Sequence, residues 1–506
     1  MTDAPTTPDA PGLAATAVGA PPNPNLIGTD GAFSRKGIGW VIFEFARNPY
    51  YNIIVVYIFA AYFTQVVTGG GPFGFAMTAV VATVSGLVAA PTTPILGTIA
   101  DQAGRRKPAI ALFIGVLASC AMLLWFSKAP GQGGIGMVAT MALLVMGYCA
   151  YSYSEALHNA MLPSAVHPRA VPVASGLALA SANLASVGMF IAYLFLLELP
   201  AVAAFGLDKS EYEHVRIVGP FVAVWMVVFI LPFFWFLPDS RGMGLTWPQA
   251  TRNFFRGPGA APQTIVQRMG VFITYVRSLW TSENNATRFL LARTIYADGM
   301  HALLTLGAAY VASFLGWSLI EMTIYAIAGL LFGAIGGILS GILDRLVGSR
   351  RALNIEIICV VLLGVFQISI TGDSLLFGLV PAGHQVWSGD LIPGLGFEVF
   401  TRLSDVVYFL TVIPGAICVV AVIASSRSML VHVAPPARIG EFFGLYAIAG
   451  TATVWMGPAL VSVLTLFFGS QRIGMAGISI LFFAGLAMLQ TVKDNPHLMD
   501  APAREG

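Results

Sequence analysis

Apolar stretches of about 20 residues recur along the whole chain, and this feature constrains the fold most strongly. The chain is 57% hydrophobic and only 10% charged, whereas soluble proteins carry about 25% charged residues. Because lipid cannot satisfy backbone polar groups, such stretches cross a bilayer as helices. We therefore predict an all-α integral membrane protein. The twelve predicted spans are residues 38–67, 74–100, 108–127, 135–157, 172–199, 216–237, 287–314, 318–343, 352–371, 403–424, 440–467 and 471–491.

Basic residues between the spans predict the orientation, because cytoplasmic loops carry an excess of lysine and arginine. One set of loops holds most of them, including Arg252, Arg268 and Arg277 in the connector 238–286. The opposite set holds only Lys128, Lys209, Arg216, Arg402 and Arg472. We therefore expect a multi-pass protein of the cell inner membrane with both termini cytoplasmic. Residues 1–33, rich in Pro, Ala, Thr and Gly, predict a disordered cytoplasmic tail, and residues 493–506 a second tail.

The two halves of the chain repeat each other in three places. Ala46-Arg47 with Tyr50 is echoed by Ala292-Arg293 with Tyr296, and the loop Gly97–Arg106 by Gly341–Arg351. Met161-Leu162 with Gly176-Leu177 is echoed by Met429-Leu430 with Gly444-Leu445. The repeats predict two pseudo-symmetric six-helix bundles, residues 34–237 and 287–492, joined by the connector. Parallel repeats of this kind are typical of secondary transporters.

The loop Gly97–Arg106 resembles the signature loop of the major facilitator superfamily. Gly97, Asp101, Gly104, Arg105 and Arg106 match it, and Gln102 stands in place of the usual arginine. The resemblance implies the major facilitator fold, with a cavity lined by the first, fourth, seventh and tenth helices. It also implies that these loops latch the halves together on the cytoplasmic side in the outward-facing state.

A narrower resemblance covers most of the chain. The segments that carry it are Gly39–Tyr50, Asn159–Pro163, Ala292–Gly299, Glu441–Ala447, Gly457-Pro458 and Gly469–Arg472. They look like the autophagy-related vacuolar effluxer (Atg22-like) branch, whose fungal members are linked to amino-acid efflux and whose many bacterial members have no assigned substrate. The first helix departs from the branch, because Glu44–Pro49 replaces a common Asp-Trp-Ala-Asn-Ser-Ala.

A pair of arginines inside membrane helices marks the candidate binding site. Charges at that depth are expensive and usually functional, and a guanidinium fork suits a carboxylate or phosphate. Paired arginines in the first and seventh helices also resemble the organophosphate antiporters of the superfamily. The predicted substrate-binding residues are Arg47, Asn48, Tyr51, Asn52, Asn159, Arg293 and Tyr296. An alternative stays open, in which Glu44–Arg47 and Asp298–Arg293 are internal ion pairs that hold helices together.

Acidic and histidine side chains in the same helices are the candidates for proton coupling. Glu155 lies in mid-membrane, where burial favours the neutral form, and His158, one turn away, titrates near neutrality. The predicted proton-coupling residues are Glu44, Glu155, His158 and Asp298. The alternative is a neutral, hydrogen-bonded polar patch. Pro49, which lacks a backbone donor, predicts a kink beside this cluster.

The two signature loops are interpreted as gates. The predicted gating residues are Gly97, Asp101, Gly104, Arg105 and Arg106 in the first half, and Asp344, Arg345, Gly348, Arg350 and Arg351 in the second. Positive-inside anchoring alone would explain the arginines, but not the repeated Asp and Gly. We therefore favour the latch over the anchor.

Together these features predict a secondary active transporter, a symporter or antiporter of a small polar, anionic organic solute, working by alternating access with proton coupling. The alternative within transport is a neutral amino-acid effluxer. A membrane enzyme is less favoured because no nucleophile–base or metal constellation stands out, and a non-transporting sensor because the connector 238–286 is too short for a sizeable soluble domain. The absence of a Walker-type loop argues against ATP-driven transport by this chain alone. We expect no cofactor, no metal and no nucleic acid; the expected partners are the solute, protons and the lipid bilayer, and the expected state is a monomer.

Overall fold

The computed structural model describes residues 31–103, 105–167, 170–200, 203–239, 246–256, 284–387, 398–435, 442, 445–446 and 449–493. Most of these residues are helical. In chain order the long helices are α1 (Arg35–Val67), α2 (Gly71–Ala103), α3 (Lys107–Leu123), α4 (Met137–Asn159), α5 (Val171–Tyr193), α6 (Glu213–Phe236), α7 (Asn284–Tyr310), α8 (Leu319–Val347), α9 (Ser349–Ser369), α10 (Leu403–Val433), α11 (Met456–Phe468) and α12 (Gln471–Leu489). Shorter elements are the helices Leu162–Ala165 and Trp247–Arg256 and a β-hairpin, β1 (Ser374–Leu375) with β2 (Val380–Pro381).

Within the described ranges, ten of these helices are long and apolar enough to cross a membrane. The exceptions are α7, which has 27 residues but carries Arg288, Arg293 and Asp298, and α11, which has 13 residues. The protein is therefore a multi-pass membrane protein. The predicted tail 1–33 falls almost wholly on residues outside the described ranges, as does much of the connector 238–286.

Helix α1 changes its winding beside the candidate site. It begins at Arg35, where the Ser34 hydroxyl caps the helix by accepting from the Gly37 N–H at 3.0 Å. The α-helical part ends at Pro49, and Tyr50–Val56 is π-helical. Proline lacks the donor that regular winding requires, and single-turn π segments recur at functional sites. The predicted kink thus takes the form of a change from α to π winding.

Two predicted spans differ clearly from the structure. The sequence predicts that the tenth ends at 424, but α10 continues to Val433, because Ser425 and Ser426 hydrogen-bond inside the helix bundle rather than ending the helix. The eleventh is predicted as one span over 440–467, but a turn at residues 450–455 separates the helical residues 442, 445, 446 and 449 from the regular helix Met456–Phe468. Glycine and β-branched threonines are weak helix formers, and Gly450, Thr451 and Thr453 lie in this turn.

The buried apolar residues form two large clusters. One is built almost entirely from residues before 238, where α1 packs on α5 and α6, α3 on α4 and α6, and α2 on α4. The other is built mainly from residues after 285, where α7 packs on α12 and α11, α9 on α10 and α12, and α8 on α10. Helix α2 contacts α11, and α5 contacts α8, so the two clusters are joined side by side.

Candidate functional site

Arg47 is the most deeply buried charge in the candidate site, with a side chain only 1% exposed. Its Nη2 donates to both carboxylate oxygens of Glu44, at 2.8 and 2.9 Å. Its Nη1 donates to Glu155 Oε2 at 3.4 Å and to the Tyr151 carbonyl at 3.3 Å. The guanidinium carbon lies 3.8 Å from the Tyr151 ring centre, a cation–π contact. Arg47 is therefore compensated by two acids and an aromatic face.

His158 completes this cluster from α4. Its ring is stacked between Trp40 and Phe43, with centroid separations of 4.5 and 4.0 Å. The ring Nε2 lies 2.9 Å from the Trp40 carbonyl, which can only accept, so Nε2 carries a proton. The other nitrogen, Nδ1, lies 3.5 Å from Glu44 Oε1. The structure thus brings all of Glu44, Arg47, Glu155 and His158 into one network, in which Glu155 is the accessible member at 46% side-chain exposure.

Arg293 has a different environment. Its Nη1 donates to the Tyr446 carbonyl at 2.8 Å, and its guanidinium carbon lies 3.4 Å from the centre of the Tyr446 ring. Among the residues that the structure describes, no acid lies within ion-pairing distance of Arg293, and its buried Nε has no hydrogen-bond partner. Asp298 instead accepts from the Gly457 N–H at 2.9 Å. Of the two internal ion pairs left open by the sequence, Glu44–Arg47 is present and Asp298–Arg293 is not.

The remaining predicted binding residues divide by position. Asn48 and Asn52 both donate to the Ser186 hydroxyl of α5, at 3.4 and 2.9 Å. The Tyr51 hydroxyl lies 3.4 Å from that of Thr305 on α7. Tyr296 points instead to α10, where its hydroxyl is 2.8 Å from Ser426 Oγ. Asn159 is the exposed last residue of α4. The structure thus gathers the polar residues of α1 but separates Tyr296 and Asn159 from them.

A cavity lies between α1, α2, α4 and α7. Its lining is mostly apolar, with five polar side chains: Thr78, Ser85, Tyr148, His301 and Thr305. The Tyr148 hydroxyl lies 3.4 Å from His301 Nε2. None of the predicted substrate-binding residues lines this cavity. No sequence signal marks its lining, because uncharged residues spread over four helices form no local motif.

The first predicted gate is described only in part. Gly97 and Asp101 belong to α2, but their surroundings, like Gly104, lie outside the described part of the chain. Arg105 is half-buried. The backbone N–H of Arg106 donates to Asp239 Oδ1 at 3.1 Å, and its Nη1 donates to the Ala160 carbonyl at 2.6 Å. This loop therefore contacts the ends of α4 and α6.

The second predicted gate is seen more completely. Asp344 accepts from Ser425 Oγ at 3.0 Å and from Ser349 Oγ at 3.4 Å. Arg350 donates to the Gln490 carbonyl at 2.9 Å, whereas Arg345 and Arg351 lie towards the surface. Gly348 ends α8 with a φ of +85°, which glycine adopts without strain. Asp344 is thus held by serines rather than by the neighbouring arginines.

Glu356 on α9 is a buried acid that is absent from the predicted site residues. It is 4% exposed and lies 2.9 Å from the same Ser425 hydroxyl that binds Asp344. A signal does exist, since Glu356 interrupts an otherwise apolar run, Ile355–Gly364, and ionisable residues inside membrane helices are rare and usually functional.

Comparison with known proteins identifies the family. The model of the family described as vacuole effluxer Atg22 like matches residues 74–497. The chain belongs to this family. A relative from Bacillus subtilis (strain 168), described as the uncharacterized MFS-type transporter YxiO, is 21% identical over 474 residues, which cover 91% of this chain and 96% of the relative. This Atg22-like chain is thus a major facilitator superfamily transporter and not an enzyme, as the sequence predicted.

Solved structures show the same fold. A mutant of the nucleoside transporter NupG matches with a TM-score of 0.59 at 12% identity, over 91% of this chain and 99% of that one. A POT family transporter in complex with a thioalcohol conjugated peptide matches with a TM-score of 0.59 at 14% identity, over 92% and 98%. At such low identity these likenesses concern the fold of the Atg22-like chain and not its substrate.

Proposed function

We propose that the protein is a secondary transporter of a small polar, anionic organic solute, driven by alternating access and coupled to protons. The observation that carries this proposal is the contrast between the two arginines. Arg47 is compensated by Glu44 and Glu155, whereas Arg293 has no acidic partner among the described residues and is only partly buried. A half-buried guanidinium of this kind favours a carboxylate or phosphate as its counter-ion.

The proposed architecture is twelve transmembrane helices in two pseudo-symmetric halves, residues 34–237 and 287–492, joined by the cytoplasmic connector 238–286. Matching packing pairs support it: α2 with α4 and α8 with α10, α3 with α4 and α9 with α10. The excess of basic residues in one set of loops supports an orientation in the cell inner membrane with both termini cytoplasmic.

The proposed division of labour follows from the contacts. Arg293 binds the anionic group of the solute, while Tyr446 holds one edge of its guanidinium. Glu155, the accessible acid of the Arg47 network, takes up and releases the coupled proton. Protonation of Glu155 weakens its contact with Arg47 and leaves the Glu44–Arg47 pair intact, so the network changes charge without exposing an unpaired ion.

Thermal stability of the purified protein in lipid nanodiscs tests the anion site. A ligand that binds only the folded state raises the melting temperature, so we expect carboxylates or organophosphates to produce a shift that Arg293→Ala abolishes. Arg472→Ala is the matched control, because Arg472 also donates to a backbone carbonyl, that of Ile368, and lies against the rings of Phe314 and Phe377. An anion-induced shift that survives in Arg293→Ala contradicts the proposal.

A neutral amino-acid effluxer is the second candidate, favoured by membership of the vacuole effluxer family. A zwitterion offers a carboxylate to Arg293 and an ammonium group to the accessible Glu155. If neutral amino acids raise the melting temperature and simple carboxylates and organophosphates do not, this candidate is favoured over the first.

A further inference from the structure

Three helices meet at a group of two acids and two serines, here called the acid–serine cluster: the buried Ser340, Glu356 and Ser425 of α8, α9 and α10, and the half-buried Asp344 of α8. The Ser425 hydroxyl oxygen is its centre. It lies 3.0 Å from Asp344 Oδ1, 2.9 Å from Glu356 Oε1 and 2.8 Å from Ser340 Oγ. Both carboxyl groups therefore contact one and the same oxygen atom.

The hydrogen atoms available to the two carboxylates are few: the Ser425 hydroxyl, which lies between both acids, and the Ser349 hydroxyl, which reaches only Asp344 and at a longer 3.4 Å. A serine hydroxyl has one proton to donate and two lone pairs. If Ser425 donates to Asp344, Glu356 Oε1 is left without a donor. Glu356 Oε2 also has no hydrogen-bond partner, and the residue is only 4% exposed. Burying an anion without hydrogen bonds is energetically costly, and two carboxylates sharing a site cannot readily both ionise.

No positive charge in the described part of the chain resolves this conflict. Arg345 on α8 is exposed, and Arg350 on α9 donates to Gln490. On α10, His432 contacts Ser349 and the Ser428 carbonyl. The other titratable groups facing the cluster are neutral hydrogen-bonding side chains: Cys359 of α9, Cys418 of α10 and Tyr296 of α7, whose hydroxyl is bound to Ser426.

We propose that Asp344 and Glu356 share one bound proton. Glu356 carries it and donates through Oε1 to Ser425 Oγ, and Ser425 in turn donates to Asp344 Oδ1. Ser340 supplies the second hydrogen bond accepted by Ser425 Oγ. In this arrangement the central hydroxyl donates once and accepts twice, and only Asp344 is charged. The shared proton thus removes one of the two negative charges and allows α8, α9 and α10 to pack against each other at this cluster.

The first half of the chain lacks this site. By the repeat that pairs Asp344 with Asp101, the position equivalent to Glu356 is Phe113, which packs edge-on against Tyr153 with ring centroids 5.1 Å apart. The fold therefore does not require an acid here. In this proposal, the proton site makes the second gate sensitive to pH.

The role of this cluster in gating rests on the proposed transport cycle. The inference that Asp344 and Glu356 share a proton does not depend on that cycle. Loss of the proton places two negative charges around one hydroxyl and drives the ends of α8 and α9 away from α10. This separation opens the second gate, and the proton is released on the side of the membrane where the gate lies. A proton bound in one conformation and released in another is a means of coupling it to alternating access.

Infrared spectroscopy of the full chain in nanodiscs tests the shared proton without any solute, so its failure is distinguishable from failure of the proposed function. At neutral pH we expect Glu356→Gln to remove the carbonyl-stretch intensity of one protonated carboxyl from the wild-type spectrum. Asp344→Asn should remove the same intensity although Glu356 is present, because Ser425 is then free to donate to Glu356. Ser349→Ala, which within this group of acids removes a bond to Asp344 and none to Glu356, should retain it.

Two results overturn the proposal. An unchanged band in Glu356→Gln means that Glu356 is ionised, and a band kept in Asp344→Asn means that burial alone holds the proton.

If Asp344→Asn does not fold, Ser425→Ala tests the bridge instead. The carbonyl-stretch band should persist and move to higher wavenumber, because the bridging hydrogen bond is lost. A band that does not move contradicts the bridge. As a second readout, the melting temperature should fall with rising pH more steeply in the wild type than in Glu356→Gln, since the folded wild type holds a proton that the unfolded chain releases.

Discussion

The two intramembrane arginines have similar local contacts. Each stacks on a tyrosine of another segment and donates to the backbone carbonyl of that same tyrosine: Arg47 on Tyr151 and Arg293 on Tyr446. The acids differ, because Glu44 and Glu155 flank Arg47 while Asp298 binds the backbone of Gly457. Equivalent positions in the two halves therefore carry different electrostatic roles.

Arg47→Ala is expected to destabilise the protein by about 3 to 5 kcal/mol, the range for breaking a buried ion pair. The reason is that Glu44, 15% exposed, keeps its charge but loses its bidentate partner. The double variant Glu44→Gln/Arg47→Gln should recover most of this loss, since it buries no net charge. Denaturation in nanodiscs measures both, and a double variant as unstable as the single one contradicts the ion-pair account.

Glu155→Gln is expected to spare solute exchange but to abolish accumulation driven by a pH gradient, because an amide cannot take up the coupled proton. Proteoliposomes loaded with the solute found in the nanodisc screen measure both activities. Glu211→Gln is a suitable control, since Glu211 has a similar side-chain exposure, 43% against 46%, and pairs with Lys128 far from the site. Accumulation that persists in Glu155→Gln excludes Glu155 as the coupling residue.

Among the helices, irregular winding is concentrated in those that carry the site. Helix α1 alternates α and π segments, and π segments also follow α5 (Leu194–Glu198) and α7 (Val311–Leu315). Asn52, which bonds Ser186, lies inside the first π segment. A π segment presents side chains at angles that regular winding does not allow, which places the polar residues of α1 against α5 and α7 together. Pro49 is the sequence signal for this change in winding. The sequence predicts where the winding changes, but not that it changes to a π-helix.

Across the whole molecule, the contacts between the two halves indicate which side is closed. Among the described residues, four hydrogen bonds join them: Tyr51–Thr305, Tyr148–His301, Gln65–Ala312 and Ser462–Ala76. In the proposed orientation, the first two lie at mid-membrane and the last two towards the outer side. The conformation is thus one in which the outer ends of the halves are in contact.

Gln65→Ala is expected to increase the population with separated outer ends, because it removes the 2.6 Å hydrogen bond from Gln65 to the Ala312 carbonyl. Spin labels at the exposed positions Gln132 and Leu379 should report a longer distance component by double electron–electron resonance. Gln490→Ala is the control, because Gln490 contacts Arg350 and Asn354 within one half. An unchanged distance distribution in Gln65→Ala contradicts a role for this contact in outer closure.

Hydropathy and short motifs were sufficient to establish the membrane class, the approximate position of most spans and the family, because these are properties of neighbouring residues. The turn at 450–455 inside the eleventh span was not predicted for the same reason, since apolar composition over 440–467 does not reveal it. Which charges compensate each other emerged only from the packing of the helices. Glu155 reaches Arg47 from another helix, and Glu356 meets Asp344 through a serine on a third. Such pairings depend on how distant helices pack, and no local pattern encodes them.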